Sequence, residues 1–168
     1  MRKVIPVNTV FCAATVLASC GGDSPTGPES GLFTATVSGE VNLTFGGPAT
    51  FRDEGMVILM LHGSFSGHYD FIRFDRRSSA APGVGTFAIA GANAGPDDFV
   101  AEYQHALLRT DGHETTTYRS LSGSLTITSV TADRIEGSFS FEGIGPGPGR
   151  TVTVQGSFDA NPDPLSAP

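Results

Sequence analysis

The feature that most constrains the fold is a strict alternation of apolar and polar residues between Phe33 and Phe45. The same alternation recurs in the segments 135–141 and 152–158. Because successive side chains of a strand point to opposite faces of its sheet, a period of two predicts strands with one buried and one solvated face. We predict one strand over 33–45 and two near the C-terminus, paired in a one-sided antiparallel sheet.

Four further segments are predicted as less regular strands: 56–62, 69–75, 84–90 and 124–130. Short strands separated by glycine, proline and aspartate turns are typical of a sandwich or a barrel. The sequence therefore predicts an all-β protein with a single antiparallel β-sandwich or barrel-like domain of about eight strands. Eleven phenylalanines follow residue 20 and tryptophan is absent, so phenylalanine should supply the aromatic volume of the core.

The segment from Phe99 to Arg109 is compatible with two structures. After Pro96-Asp97-Asp98 it can form a helix that carries its apolar residues on one face. As a strand it precedes Asp111-Gly112, a dipeptide suited to a type I′ hairpin turn. We predict the strand and a hairpin with two cross-strand pairs. These are Arg109 opposite Glu114, and His105 opposite Tyr118.

A triplet of glycine, a hydroxyl residue and then phenylalanine or leucine recurs along the chain at irregular spacing. The irregular spacing argues against a structural repeat. Glycine inside a strand marks a place where another part of the chain packs close, or where a bulge bends the sheet. We expect this at Gly63, Gly85, Gly123, Gly137 and Gly156.

The charge of the chain argues against nucleic acid as a partner. The formal net charge is −7, and the basic residues after Lys3 are scattered arginines. Because an acidic surface repels phosphate backbones, we predict no nucleic-acid binding.

The first twenty residues have the organisation of an export signal. Met1-Arg2-Lys3 is basic, and the mainly apolar residues 4–18 are too few to span a bilayer comfortably. Leu17-Ala18-Ser19-Cys20 follows directly and resembles the lipobox of bacterial lipoproteins. The resemblance implies cleavage in front of Cys20 and lipid on its thiol. The alternative is ordinary secretion, with cleavage near Ala18 or Ser19.

Lipid on Cys20 predicts a protein held on a membrane, because two or more acyl chains bind stably at about 0.8 kcal/mol per buried CH₂. Gly21, where aspartate is the usual inner-membrane signal, makes the resemblance favour the outer membrane. Cys12 lies in the segment that is removed, which leaves no disulfide in the mature chain. The predicted divisions are a signal peptide over 1–19, a lipidated cysteine and flexible linker over 20–31, a β-domain over 32–160 and a disordered tail over 161–168.

The segment from Ser122 to Asp159 contains strand pairs of the form G-[ST]-x-[ST]-[IV] and G-[ST]-F-x-F. In this it resembles β-rich envelope lipoproteins of bacteria. The resemblance implies a setting in the cell envelope and no defined activity.

Three motifs bear on catalysis or metal binding, and none carries a specific chemistry. Gly63-Ser64-Phe65-Ser66-Gly67 has the outline of a serine hydrolase elbow, but phenylalanine stands at the nucleophile position. The Gly143–Gly149 loop is rich in glycine, but its prolines lack the N–H donors of a phosphate cradle, so we predict an exposed hairpin loop. The histidines lack the spacing of a metal site: His62, His68, His105 and His113. We predict no catalytic residue, no metal ligand and no cofactor.

Three functions follow as hypotheses. The first is a lipid-anchored envelope lipoprotein whose non-catalytic β-domain binds a protein, glycan or small molecule, or has a structural role. The second is a lipocalin-like carrier, which needs an interior not filled by the phenylalanines. The third is an envelope hydrolase or metal enzyme, which needs two histidines, or a histidine and a carboxylate, in one pocket.

Overall fold

The computed structural model describes residues 31–52, 57–63, 67–78, 80–110 and 112–164, which form one closed barrel of nine strands. The strands are β1 Leu32–Gly39, β2 Leu43–Arg52, β3 Val57–Gly63, β4 His68–Arg76, β5 Gly85–Ala90, β6 Phe99–Arg109, β7 Gly112–Thr131, β8 Arg134–Ile144 and β9 Thr151–Pro162. The all-β prediction is confirmed in its barrel form.

Around the barrel the strands follow the order β1-β2-β3-β4-β6-β5-β7-β8-β9, and β9 pairs with β1 to close the ring. Most neighbours are antiparallel, and short parallel contacts join β5 to β6 and β2 to β9. Strand β7 is 20 residues long. Its first part pairs with β6 and its second part with β5, while β8 pairs with it from Arg119 onward.

The single strand predicted over 33–45 is wrong, because the structure folds this segment into the hairpin of β1 and β2. Gly39, with φ of 112°, and Asn42 form the turn, and the Asn42 side chain bonds both the N–H and the C=O of Gly39. The hairpin pairs Ala35 with Phe45 and Phe33 with Gly47. Odd-numbered residues of β1 therefore pair with odd-numbered residues of β2. The alternation of apolar and polar residues consequently continues through the turn without a break.

The strand at β6 is confirmed, but the predicted register of its hairpin is wrong by two residues. Arg109 pairs with Gly112, and His105 pairs with Thr116. A shift of two residues keeps every side chain on its face, so alternation alone does not distinguish the two registers. The observed register pairs Tyr103 with Tyr118, whose buried rings stack with centroids 5.6 Å apart.

Phenylalanine fills the core, as predicted. Five phenylalanines of β1, β2, β8 and β9 are buried: Phe33, Phe45, Phe139, Phe141 and Phe158. Their rings contact one another and Phe74, for example Phe74 on Phe139 at 5.0 Å between centroids. In the described part of the chain, these side chains pack together inside the barrel.

Three of the predicted glycines lie opposite a phenylalanine of the next strand. The pairs are Gly123 with Phe141, Gly137 with Phe158, and Gly156 with Phe139. A Cβ on Gly137 would lie 2.8 Å from the Phe158 ring, and one on Gly156 equally close to the Phe139 ring. The prediction of close packing is confirmed at these three positions. At Gly63 a Cβ would meet no atom within 4 Å, and at Gly85 it would make only ordinary van der Waals contacts. Close packing therefore does not explain the glycines at these two positions.

The described chain begins and ends at the same end of the barrel, which we call the entry end. The Gly31 carbonyl accepts a bond of 2.8 Å from the Ala49 N–H. Asp163 donates its N–H to the Phe51 carbonyl, and its carboxylate pairs with Arg52 at 2.6 Å. The disordered tail predicted from residue 161 therefore begins too early, since β9 runs to Pro162 and Asp163 is buried. Residues 165–168 lie outside the described ranges.

The opposite end, which we call the cleft end, carries the turn at 40–42, the β6–β7 turn and the loop 145–150. That loop connects β8 to β9, as predicted for the Gly143–Gly149 segment, and is closed by a bond of 2.7 Å from the Gly145 N–H to the Arg150 carbonyl.

Replacement of Gly156 by alanine tests the packing of glycine against phenylalanine. We expect Gly156→Ala to destabilise the domain by about 1–3 kcal/mol, because the added methyl overlaps the Phe139 ring and the backbone of β1. Gly63→Ala is the matched control, with an expected change within about 0.5 kcal/mol. Urea unfolding followed by circular dichroism measures both, and equal effects would contradict the explanation.

Candidate functional site

A buried carboxylate lies beneath the cleft end. In β4, Asp70 occupies the inward position in line with Ile72 and Phe74, and it is 3% exposed. The Tyr103 hydroxyl donates to its Oδ1 at 2.7 Å, and His105 Nδ1 lies 2.8 Å from the same oxygen. A charge in an apolar interior is tolerated only when hydrogen bonds compensate its lost hydration. Both partners come from β6, the strand that pairs with β4.

The bond to Asp70 orients the His105 ring. Because an ionised carboxylate only accepts hydrogen bonds, Nδ1 is the donor. In the neutral imidazole, Nε2 is then unprotonated and available as an acceptor. The His105 side chain is 17% exposed and lines a cleft at the surface.

This cleft has a volume of about 240 Å³ and opens at the cleft end of the barrel. Its polar lining consists of Glu40, His105, Glu114, Thr116, Tyr118 and Arg150. Arg150 Nε donates to Glu40 at 2.5 Å, and this bond lowers the pKa of the Glu40 carboxyl and raises that of the guanidinium. The cleft therefore presents a fixed ion pair beside an imidazole.

Two tyrosines separate the cleft from the core. Burial, followed by the hydrogen bond to Asp70, raises the pKa of Tyr103 far above its usual range. Burial and then the negative charge of Glu40 raise the pKa of Tyr118. Both phenols therefore stay protonated at neutral pH and act as hydrogen-bond donors.

The structure brings together only some of the residues considered from the sequence. His68 and His105 have ring centroids 6.2 Å apart, whereas the Nδ1 of His62 bonds the Gly46 carbonyl at 2.7 Å. The side chain of His113 lies outside the described residues, as do Ser64, Ser66 and Cys20. Within the described residues, no three histidine, cysteine, aspartate or glutamate side chains are grouped as metal ligands.

Sequence reasoning missed Asp70, Tyr103 and the Glu40–Arg150 pair. One signal was present for Asp70, because a carboxylate stands where the alternation of β4 requires an apolar residue. Such a position indicates a buried charge with dedicated partners. Glu40 and Arg150 are 110 positions apart, and only the pairing of β1 with β9 brings them together.

Comparison with protein-family models, curated proteins and solved structures found no match. In the described ranges no helix has the length and hydropathy to cross a bilayer.

The raised pKa of Tyr103 predicts a loss of stability in alkali. The contribution of Tyr103 to the free energy of unfolding is complete below the pKa of about 10 that this tyrosine has in the unfolded chain. It declines as pH rises above that value, by up to about 1.4 kcal/mol per pH unit, because the tyrosine then ionises only in the unfolded chain. Tyr103→Phe removes this contribution, so its free energy of unfolding should fall less between pH 8 and pH 11 than that of the wild type. Tyr69→Phe, at an exposed tyrosine, controls for the chemical change. Equal losses in the wild type and Tyr103→Phe, measured by urea unfolding, would show that Tyr103 is not responsible.

Proposed function

We propose that the protein is a lipoprotein of the bacterial cell envelope, anchored by lipid on Cys20, whose barrel binds a partner at the cleft end. The lipobox-like Leu17-Ala18-Ser19-Cys20 supports the anchor. The observation that carries the binding role is the position of the site, since Gly31 lies at the entry end and the cleft at the other. A tether from Cys20 to Gly31 attaches the protein to the membrane at the entry end of the barrel.

The length of the barrel gives the height of the cleft above the entry end. Strand β8 has eleven residues. At about 3.3 Å per residue and a tilt of about 40°, its ends differ in height by about 28 Å. A cleft at that height is clear of lipid headgroups and accessible to a partner in the surrounding compartment. Gly21 after the cysteine favours the outer membrane within this proposal.

The anchor is tested by Cys20→Ala in the full chain. We expect this variant to remain unprocessed and to be lost from the membrane fraction, because no thiol is present to accept lipid. Cys12→Ala is the matched control and should be processed like the wild type. Signal peptidase II inhibition should reproduce the Cys20→Ala phenotype. An unmodified Cys20 in a soluble mature protein, seen by mass spectrometry, would refute the anchor.

Hydrolysis is a second candidate, favoured by one observation: a histidine and a carboxylate converge at the cleft, His105 on Asp70 at 2.8 Å. An imidazole held in this way serves as a general base toward water or a hydroxyl. On a panel of chromogenic esters, His105→Gln should then lower kcat by about 100-fold or more, the usual contribution of a general base. His68→Gln, at the neighbouring ring, is the control. Activity equal in both variants, or absent in the wild type, would exclude this candidate.

A further inference from the structure

Two histidines of neighbouring strands lie together on the inner face of the barrel at the cleft end. In β6, His105 pairs with Asp70 of β4, and His68 stands two residues before Asp70 on the same strand. Because alternate residues of a strand point to one face, His68 shares the inward direction of Asp70. The two histidines are diagonal neighbours across the β4–β6 pair, a separation that long side chains can bridge.

The distance between the two rings fits a shared metal ion. With metal–nitrogen bonds of about 2.0–2.1 Å, two imidazoles bound to one ion have centroids about 5–6 Å apart. The centroids of His68 and His105 are 6.2 Å apart, which is slightly longer. His68 is exposed and is the first residue of β4, so a rotation of its side chain can close this difference.

The buried carboxylate holds His105 in the form that a metal requires. A histidine that binds a metal usually donates its other ring N–H to a carboxylate or a carbonyl, which fixes the ring and its tautomer. His105 Nδ1 donates to Asp70 Oδ1 at 2.8 Å, and the Tyr103 hydroxyl donates to the same oxygen at 2.7 Å. Nε2 of His105 is therefore the nitrogen that can bind a metal, and the ring lies in the lining of the cleft.

The charged groups around this ring are compatible with a cation. Among the described residues that line the cleft, Arg150 is the one arginine or lysine, and its guanidinium is bonded to Glu40. Its positive charge is thereby balanced. Asp70 places negative charge directly behind the His105 ring, where it attracts a cation bound to Nε2.

We propose that His68 and His105 bind one divalent transition-metal ion at the cleft end, with Asp70 orienting His105. Imidazole nitrogen favours zinc, copper and nickel, whereas magnesium and calcium take oxygen ligands. The described residues contain no group of three ligands, so water or an exogenous ligand occupies the remaining positions of the ion. Spacing along the chain did not indicate this site, because its two ligands come from different strands.

The inference goes beyond the lipid anchor and the partner-binding role, and it depends on neither. It also excludes general-base catalysis by His105 while the ion is bound, since both would use Nε2.

The test is zinc binding by the full chain, purified from whichever cell fraction holds it, stripped of metal and without a histidine tag. Calorimetric titration is done at about pH 8, because metal binding requires deprotonated imidazole. We expect His68→Gln and His105→Gln each to weaken zinc binding at least about tenfold, since each removes one ligand. His62→Gln is the matched control and should change the affinity by less than about twofold, because its Nδ1 bonds the Gly46 carbonyl and it is not one of the two ligands.

Three results would overturn the proposal: no zinc binding by the wild type, a loss in only one of the two ligand variants, or an equal loss in His62→Gln. Magnesium at the same concentration should not displace zinc, because it takes oxygen ligands.

Nitrogen NMR of the histidine rings decides the matter if a variant does not fold, as judged by circular dichroism. In the wild type, zinc should shift the Nε2 resonance of His105 and one ring nitrogen of His68, and leave those of His62 unchanged. Unchanged signals of His68 and His105 would overturn the proposal.

The role of Asp70 is tested by Asp70→Asn, which keeps both ligands. We expect zinc affinity to fall about tenfold or more, because the amide no longer fixes the tautomer of His105. The same NMR spectra should show His105 losing its preference for the proton on Nδ1. An unchanged affinity and an unchanged tautomer would contradict the positioning role of Asp70.

Discussion

The barrel depends on close packing between glycines of three adjacent strands and the phenylalanines opposite them. Gly137 and Gly156 leave space on β8 and β9 for the rings of Phe158 and Phe139, and a Cβ on Gly123 of β7 would lie 2.6 Å from the Cα and Cβ of Phe141. The missing Cβ atoms let the neighbouring strand and its large side chains approach the backbone closely. The interior of the barrel is then filled by side chains.

The two ends of the barrel differ because of where buried charge is placed. At the entry end, carboxylates are neutralised by arginines, as in Asp163 with Arg52. Asp159 with Arg134 is a similar pair, and its hydrogen bond raises the pKa of the guanidinium. At the cleft end, Asp70 is bonded by a phenol and an imidazole instead, and the imidazole lines the cleft. The first arrangement holds Asp163 near the end of β9, and the second places an imidazole in the lining of the cleft.

The Asp111-Gly112 turn signal predicted β6 as a strand in place of a helix. Period-two alternation predicted strands at 33–45, 135–141 and 152–158, because it reports directly which face of a strand is buried. Alternation failed where two different strand pairings keep every side chain on the same face of the sheet. The β1–β2 hairpin pairs odd-numbered residues with odd-numbered residues, so the alternation of apolar and polar residues is not interrupted by the turn after Gly39. The register of β6 on β7 was missed for the same reason. The cleft was not predictable, since Glu40 and Arg150 meet only when β9 closes the ring on β1.

We propose that a tether at the entry end presents the cleft end to a partner away from the membrane. The most direct test of this proposal is the depth of two labels on the protein attached to vesicles through the proposed lipid on Cys20, Asp133→Cys in the β7–β8 turn and Pro148→Cys in the loop at the cleft end. Each carries a fluorophore, and the vesicles contain lipids with a quencher in the headgroup. We expect strong quenching at position 133 and little at 148, given a height difference of about 28 Å. Equal quenching, or stronger quenching at 148, would contradict the account.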